Sequence, residues 1–168
     1  MKITIIGNVG SGKTTLAGKI SEKLNIPHIQ LDRIWFEVGG LKSENRQDEG
    51  KERVRAAIRE KVDQLTRESN WVSDGWYKRI QPMITDRADR LIFIDIPIWR
   101  RTINHLKRMF SSDRHPELSK WDDIKFFYEI VRRRFTHDPV MRAFLAEHKN
   151  KATVLHSYKE VENFIKNL

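Results

Sequence analysis

Nine residues near the start of the chain carry the strongest chemical signal. Gly7-Asn8-Val9-Gly10-Ser11-Gly12-Lys13-Thr14-Thr15 follows the pattern glycine, four residues, glycine-lysine, then serine or threonine. Each residue type has a job in such a loop. The glycines Gly7, Gly10 and Gly12 let the backbone turn so that successive N–H groups, those of Asn8 and Ser11 among them, converge on phosphate oxygens. Lys13 supplies a positive charge for the β- and γ-phosphates, Thr14 a hydroxyl for Mg²⁺, and Thr15 continues the cradle. A helix beginning at Lys13 would add its positive dipole end. By residue frequency the pattern arises by chance in roughly one chain of this length in a hundred. Here it also falls between a strand-like run, Lys2 to Ile6, and a helical pattern with Leu16, Ile20 and Leu24 on one face. The ligand this implies is a nucleoside triphosphate, ATP with Mg²⁺ foremost.

The elements that must position this loop follow from periodicity. Helix is expected over Lys13 to Leu24, Lys51 to Glu68 and Trp121 to Phe135. A further helix opens at Pro97, with Trp99, Ile103, Leu106 and Phe110 as its apolar stripe, and another runs from Val140 to Lys149. Strands are expected at Lys2 to Ile6, His28 to Leu31, Trp71 to Ser73, Leu91 to Ile96 and Ala152 to His156, with one or two helical turns over Gln81 to Ala88. Ser157 and Glu160 form a capping box for a last helix. Trp35 to Gly50 has little periodicity and reads as a loop, mobile at Gly39-Gly40. Five strands alternating with helices predict an α/β fold, with a five-stranded parallel sheet covered on both faces. Ligands in such sheets bind beyond the carboxyl ends of the strands. Asp32, just past strand two, and Asp74-Gly75, after strand three, fall there. Each has a plainer alternative, a capping aspartate and an Asp-Gly turn. Asp95 lies within strand four, where a structural part competes with a metal-site one.

Composition narrows the classes. The 168 residues suit one domain, over 1 to 168. The absence of cysteine excludes disulfides and thiolate metal sites. The six histidines form no His-x3-His pair, so a zinc site is not expected. The longest apolar run, Leu91 to Trp99, is broken by Asp95 and Pro97 and is too short to span a membrane, so a cytoplasmic protein is expected. The net charge of +9 favours anionic partners. Nucleic acid is one, although the chain shows no helix-turn-helix signature or compact basic recognition helix.

With its motifs in this order the chain resembles a P-loop kinase of the adenylate kinase kind, and within it the bacterial DNA topology modulation proteins. The stretches that carry the resemblance are the phosphate loop with Leu16-Ala17 and Ile20 to Leu24, Leu31-Asp32 with Trp35, Asp74-Gly75-Trp76-Tyr77, and Ala88-Asp89 before Leu91 to Pro97. The resemblance implies a three-layer P-loop fold like that of nucleoside and nucleotide kinases. It implies an ATP-dependent phosphotransferase acting on a nucleoside, nucleotide or other small acceptor. An acceptor-side insertion would cover about 33 to 68 and a lid about 109 to 120. Asp32 would hold the acceptor hydroxyl or a Mg²⁺ water, and Asp74 would reach Mg²⁺ through water. Lid arginines would close over the phosphates: Arg108 and Arg114 first, with Arg101 and Arg132 to Arg134 as further candidates. Tyr158 would stack on the base or pack, as Trp35, Trp76 and Tyr77 would stack on an acceptor ring or serve the core. Two departures stand out. Asn104 takes a position where the family often has arginine, and Lys78-Arg79 replaces the Pro-Arg that accompanies AMP recognition. A second reading is an ATP-binding regulatory protein acting on DNA topology without kinase turnover; a third is a nucleoside triphosphatase with no acceptor.

Overall fold

A computed structural model describes residues 1–39, 48–109, 128, 131–133 and 135–168. The run Lys2–Gly7 forms β1, whose residues after Lys2 are all buried. The chain then turns into α1, Lys13–Leu24, the helix that the spacing of Leu16 and Ile20 predicts. Asn25 follows with a φ of 51°, a left-handed conformation that asparagine tolerates and that stops a helix. The remaining described elements are β2 (His28–Gln30), α2 (Leu31–Glu37), α3 (Asp48–Thr66), β3 (Trp71–Asp74), α4 (Gln81–Arg87), β4 (Arg90–Ile94), α5 (Ile98–Met109), α6 (Asp138–Glu147), β5 (Ala152–Leu155) and α7 (Tyr158–Lys166). Residues 128, 131–133 and 135–136 are also helical. The five strands form one parallel sheet in the order β2-β3-β1-β4-β5, the α/β class that the alternation predicts.

By their contacts the described residues divide into two units, and β1 and β4 run through both. The first comprises Met1–Ile5 and Thr14–Leu91. In it β3 pairs in parallel with β1, Lys2 opposite Trp71, and with β2, Gln30 opposite Asp74. Its core gathers Ile29 and Leu31 from the β2 region, Ile34 from α2, Val54, Ile58 and Val62 from α3, Trp71 from β3, and Ile80, Ile84 and Ala88 around α4. Trp71 is fully buried and spends its one polar group well: the indole N–H donates to the carbonyl of Thr66 at 3.1 Å. Thr66 in turn receives a hydrogen bond from Arg87 at 2.6 Å.

One expectation fails here. Trp35 sits in a helix, α2, rather than in irregular chain. Its seven residues span under two turns, so only Leu31 and Ile34 mark an inward face, too few for a periodic signal.

The second unit comprises Ile6–Lys13 and Ile92–Leu168. Asp95 lies one residue past β4, not inside it, and its N–H donates to Leu155 of β5 at 2.9 Å. Of the stripe expected on α5, Trp99 is 56 % and Ile103 42 % exposed, and the Arg100 guanidinium lies 4.9 Å from the Trp99 ring centre; the Leu106 side chain and Phe110 lie outside the described residues. Among the side chains of that helix that the structure describes, Arg101 is the buried one, at 2 % exposure. At the far end the capping box forms: Ser157 Oγ accepts the N–H of Glu160 at 3.2 Å, and the Glu160 carboxylate accepts the N–H of His156 at 2.9 Å.

Candidate functional site

The phosphate-loop geometry begins at the end of β1. Gly7 has a φ of 151°, and a Cβ there would stand 2.7 Å from the carbonyl oxygen of Ile94, so no other residue fits without moving β4. Gly10 and Gly12 also have positive φ. Inside the loop the Asn8 side chain organises the turn. Its Oδ1 accepts the N–H of Val9 at 2.9 Å, while its amide donates to the carboxylate of Asp138 at the start of α6. Both side chains are buried, so this is a satisfied polar pair within the second unit. The N–H of Ser11 donates to the Asn8 carbonyl at 3.2 Å, and Lys13 Nζ reaches the same carbonyl at 3.0 Å. Ser11 Oγ is buried and has no hydrogen-bond partner among the described residues.

Two more predicted residues stand against this loop. Arg101 abuts Gly10: a Cβ built on that glycine would lie 3.5 Å from the Arg101 Cβ. Tyr158, the first residue of α7, has its ring edge 3.7 Å from the position a Gly12 Cβ would take. Asp95 is held elsewhere, in an ion pair with Arg142 at 2.7 Å and beside His156 at 3.5 Å, which suits the structural alternative. Arg108 lies on α5, but its side chain, like Arg114, Arg134 and the lid expected after residue 109, falls outside the described residues.

The first unit holds the predicted residues Thr14, Asp74 and Asp32. Thr14 Oγ1 donates to Asp74 Oδ2 at 2.6 Å, and Asp74 Oδ1 faces His28 Nε2 at 2.9 Å. Asp74 is 6 % exposed, and each of its carboxylate oxygens has a side-chain partner. The following residue is glycine for a steric reason. Gly75 has a φ of 121°, and a Cβ there would come within 2.8 Å of the Leu31 Cβ. The Asp-Gly step lets the end of β3 approach the start of α2, whose second residue is Asp32. Asp32 is exposed in the first helical turn, and the Tyr77 hydroxyl donates to its Oδ1 at 2.9 Å. Tyr77 and Trp35 are partly buried and pack on the core of this unit.

The same two aromatics border a cavity of about 600 Å³, which Lys51, Arg55, Arg59, Lys78 and Arg79 also line. Its one acidic residue, Glu52, is paired with Arg55 and lies 3.5 Å from Arg79. Hydrogen bonding from Arg55 holds the Glu52 carboxyl below its ordinary range.

Three participants escaped the sequence reading: His28, Gln30 and Asp138. None belongs to a motif. A lone histidine on a three-residue strand and an aspartate before a proline carry no spacing signal, and only the pairing of β2 with β3 and the seating of α6 reveal them.

The donors around Thr14 and Asp74 can be weighed against a metal ion. Among the described residues no three His, Cys, Asp or Glu side chains cluster as a metal cage, and no described helix is long and apolar enough to cross a membrane. A cation here would rely on a hydroxyl, one carboxylate and a ligand's phosphates. That donor set suits Mg²⁺, which keeps its waters and takes few protein ligands.

No family model matches the sequence, and no curated protein matches it. Among solved structures the chain is similar to a shikimate kinase from Bacteroides thetaiotaomicron, at 21% identity over 99% of this chain and 95% of that one, with a TM-score of 0.58. It is similar to shikimate kinase from Aquifex aeolicus, at 22% identity over 99% and 92% of the two chains, TM-score 0.52. A third is shikimate kinase from Acinetobacter baumannii in complex with shikimate, at 15% identity over 99% and 89%, TM-score 0.56. At such identities the likeness is one of fold: a five-stranded parallel α/β sheet. The finer likeness to DNA topology modulation proteins rests on the sequence motifs alone.

Proposed function

We propose that the protein is an ATP-dependent small-molecule kinase, with a nucleoside or nucleotide as acceptor. The observation that carries this reading is the Thr14–Asp74 hydrogen bond at 2.6 Å, directly after the phosphate-loop lysine. A threonine hydroxyl that donates its proton to a carboxylate keeps its lone pairs for a cation. Three structures of similar fold are kinases by name, one of them in complex with shikimate, which supports a small acceptor.

In this reading the loop from Gly7 to Thr15 binds the triphosphate through its backbone N–H groups, and the start of α1 adds its dipole. Lys13 exchanges the Asn8 carbonyl for the β- and γ-phosphates. Tyr158 flanks the nucleotide beside Gly12. Mg²⁺, held by Thr14 and, through water, by Asp74, would neutralise charge on the phosphates. Asp32, oriented by Tyr77, accepts the proton of the acceptor hydroxyl. That oxygen then bonds to the γ-phosphorus as the bond to the bridging oxygen breaks, and ADP leaves. Arg108 and Arg114 are the arginines proposed to close over the phosphates, where charge develops in the transition state.

The test is a screen of nucleosides, nucleotides and small hydroxy acids for acceptor-dependent ADP release, run on the wild type and Lys13→Ala. We expect one acceptor class to stimulate release and Lys13→Ala to lower it at least about a hundredfold. ATP turnover by Lys13→Ala at the wild-type rate sinks the mechanism. Release that no acceptor stimulates makes the protein a simple triphosphatase.

A further inference from the structure

Among the described residues the buried Asp74 carboxylate has two side-chain partners, Thr14 from the predicted phosphate loop and one other. The other, His28, is on a different strand and has no place in the mechanism above. Its Nε2 lies 2.9 Å from Asp74 Oδ1, with the two side chains 13 % and 7 % exposed. The ring is itself braced, since Gln30 Nε2 lies 3.3 Å from His28 Nδ1. The strand register explains why these groups meet. Gln30 stands opposite Asp74 and His28 opposite Val72, and residues two apart on a strand share a face. With the Gln30 amide donating to Nδ1, the neutral imidazole carries its proton on Nε2 and donates it to Asp74.

An aspartate carboxylate turns easily about its last bond. One hydrogen bond to Thr14 fixes one oxygen but leaves the plane free to swing. A second, to a ring that is buried and braced, fixes the plane. The carboxylate plane sets the direction of the Thr14 O–H, and hence of the lone pairs left for a cation. Groups that orient a ligand through a hydrogen bond in this way commonly change metal affinity 10- to 100-fold when removed, about the size expected here.

We infer that His28 is a positioning residue: braced by Gln30, it locks Asp74 so that the Thr14 hydroxyl is aimed at the Mg²⁺ of bound nucleotide. The inference rests on the reading of the loop as an ATP–Mg²⁺ site and adds a residue that the reading does not need. A histidine there for packing alone could be replaced by another flat ring. One there for its hydrogen bond could not, and glutamine, whose amide can occupy the place of Nε2–H, could stand in.

The experiment is calorimetric titration of the intact protein with ATP, in EDTA and across a series of Mg²⁺ concentrations. It compares wild type with His28→Phe, His28→Gln and Gln30→Leu. The expected result for His28→Phe is metal-free ATP affinity within about twofold of wild type, with about tenfold more Mg²⁺ needed for half of its tightening effect. His28→Gln should recover most of that loss, and Gln30→Leu should show a smaller shift in the same direction. Gln30→Leu keeps the ring in place and so answers the question even if His28→Phe fails to fold. The inference is overturned by an unchanged Mg²⁺ requirement in His28→Phe and Gln30→Leu. It is equally overturned by an equal loss in EDTA, or by His28→Gln behaving like His28→Phe. A wild type that binds no ATP overturns the nucleotide reading and this inference together. A wild type whose Mg²⁺-dependent ATP binding ignores these substitutions overturns the inference alone.

Discussion

The hydroxyl of Tyr77 donates to Oδ1 of Asp32 at 2.9 Å, across 45 residues of sequence. Tyr77 packs its ring on the core and lines the cationic cavity, while its oxygen reaches the exposed carboxylate on α2. A packed ring thus holds an exposed carboxylate. If Asp32 positions the acceptor, Tyr77→Phe should lower acceptor-dependent kcat about tenfold, the worth of one hydrogen bond to a charged group. ATP affinity should stay within twofold and stability within about 1 kcal/mol. Steady-state kinetics with calorimetry checks this; an unchanged kcat removes Asp32 from the mechanism or Tyr77 from its support.

Gly75 should not tolerate a side chain. Alanine there must adopt a φ of 121° and bring its Cβ within 2.8 Å of Leu31. Backbone strain and overpacking each cost about 1–3 kcal/mol. The expected drop in melting temperature for Gly75→Ala lies between about 4 and 24 °C, the product of about 2–6 kcal/mol in total and about 2–4 °C per kcal/mol in a chain of this size. Gly18, whose surroundings leave a Cβ free of contacts within 4 Å, serves as the control. Gly18→Ala should be neutral or stabilising, since alanine favours a helix by about 1 kcal/mol over glycine.

Asp138 holds the phosphate loop from α6 through the buried amide of Asn8. Asp138→Ala strands that amide, which costs about 1–3 kcal/mol and frees the turn that presents the loop N–H groups. Both the urea midpoint and the metal-free affinity for ATP should fall, and Asp138→Asn should restore part of each. A variant with wild-type nucleotide affinity would show that the pair serves stability only.

Acid should destabilise the protein through Asp63. Hydrogen bonding from Arg87, at 2.6 Å, and then from Arg67 holds its carboxyl below the ordinary range. A depressed folded-state value means that the unfolded chain binds the proton more readily. The contribution to stability is therefore present above about pH 4 and is lost as the pH falls through the folded-state value. Urea midpoints measured from pH 7 to pH 3 should decline, and Arg87→Leu should be less stable at pH 7 with a shallower decline. Parallel profiles would place the acid response elsewhere, Glu37 and Glu160 being the next candidates because hydrogen bonds from Lys61 and from the His156 N–H lower them too.

The parts legible from sequence are those encoded within a few residues. The phosphate loop, the helix from Lys13 to Leu24, the capping box at Ser157 and Glu160, and the strand–helix alternation all rest on local spacing, and the α/β sheet follows from the alternation. One local reading failed for want of length: seven residues of α2 offer too few repeats.

Other features lay beyond any local reading. Thr14 meets Asp74 across 60 positions, His28 meets Asp74 across 46, and Asn8 meets Asp138 across 130. No spacing rule encodes such pairs, because strand register and crossovers decide them, and a slip of one residue between β2 and β3 would turn His28 and Gln30 to the opposite face. The sequence by itself determined that a glycine-rich loop of the phosphate-binding pattern stands between a strand and a helix. The tertiary structure decided which carboxylate receives its threonine, which histidine steadies that carboxylate and which tyrosine holds Asp32. Hydrogen bonds of about 3 Å are set by the packing of whole elements, not by the order of their residues.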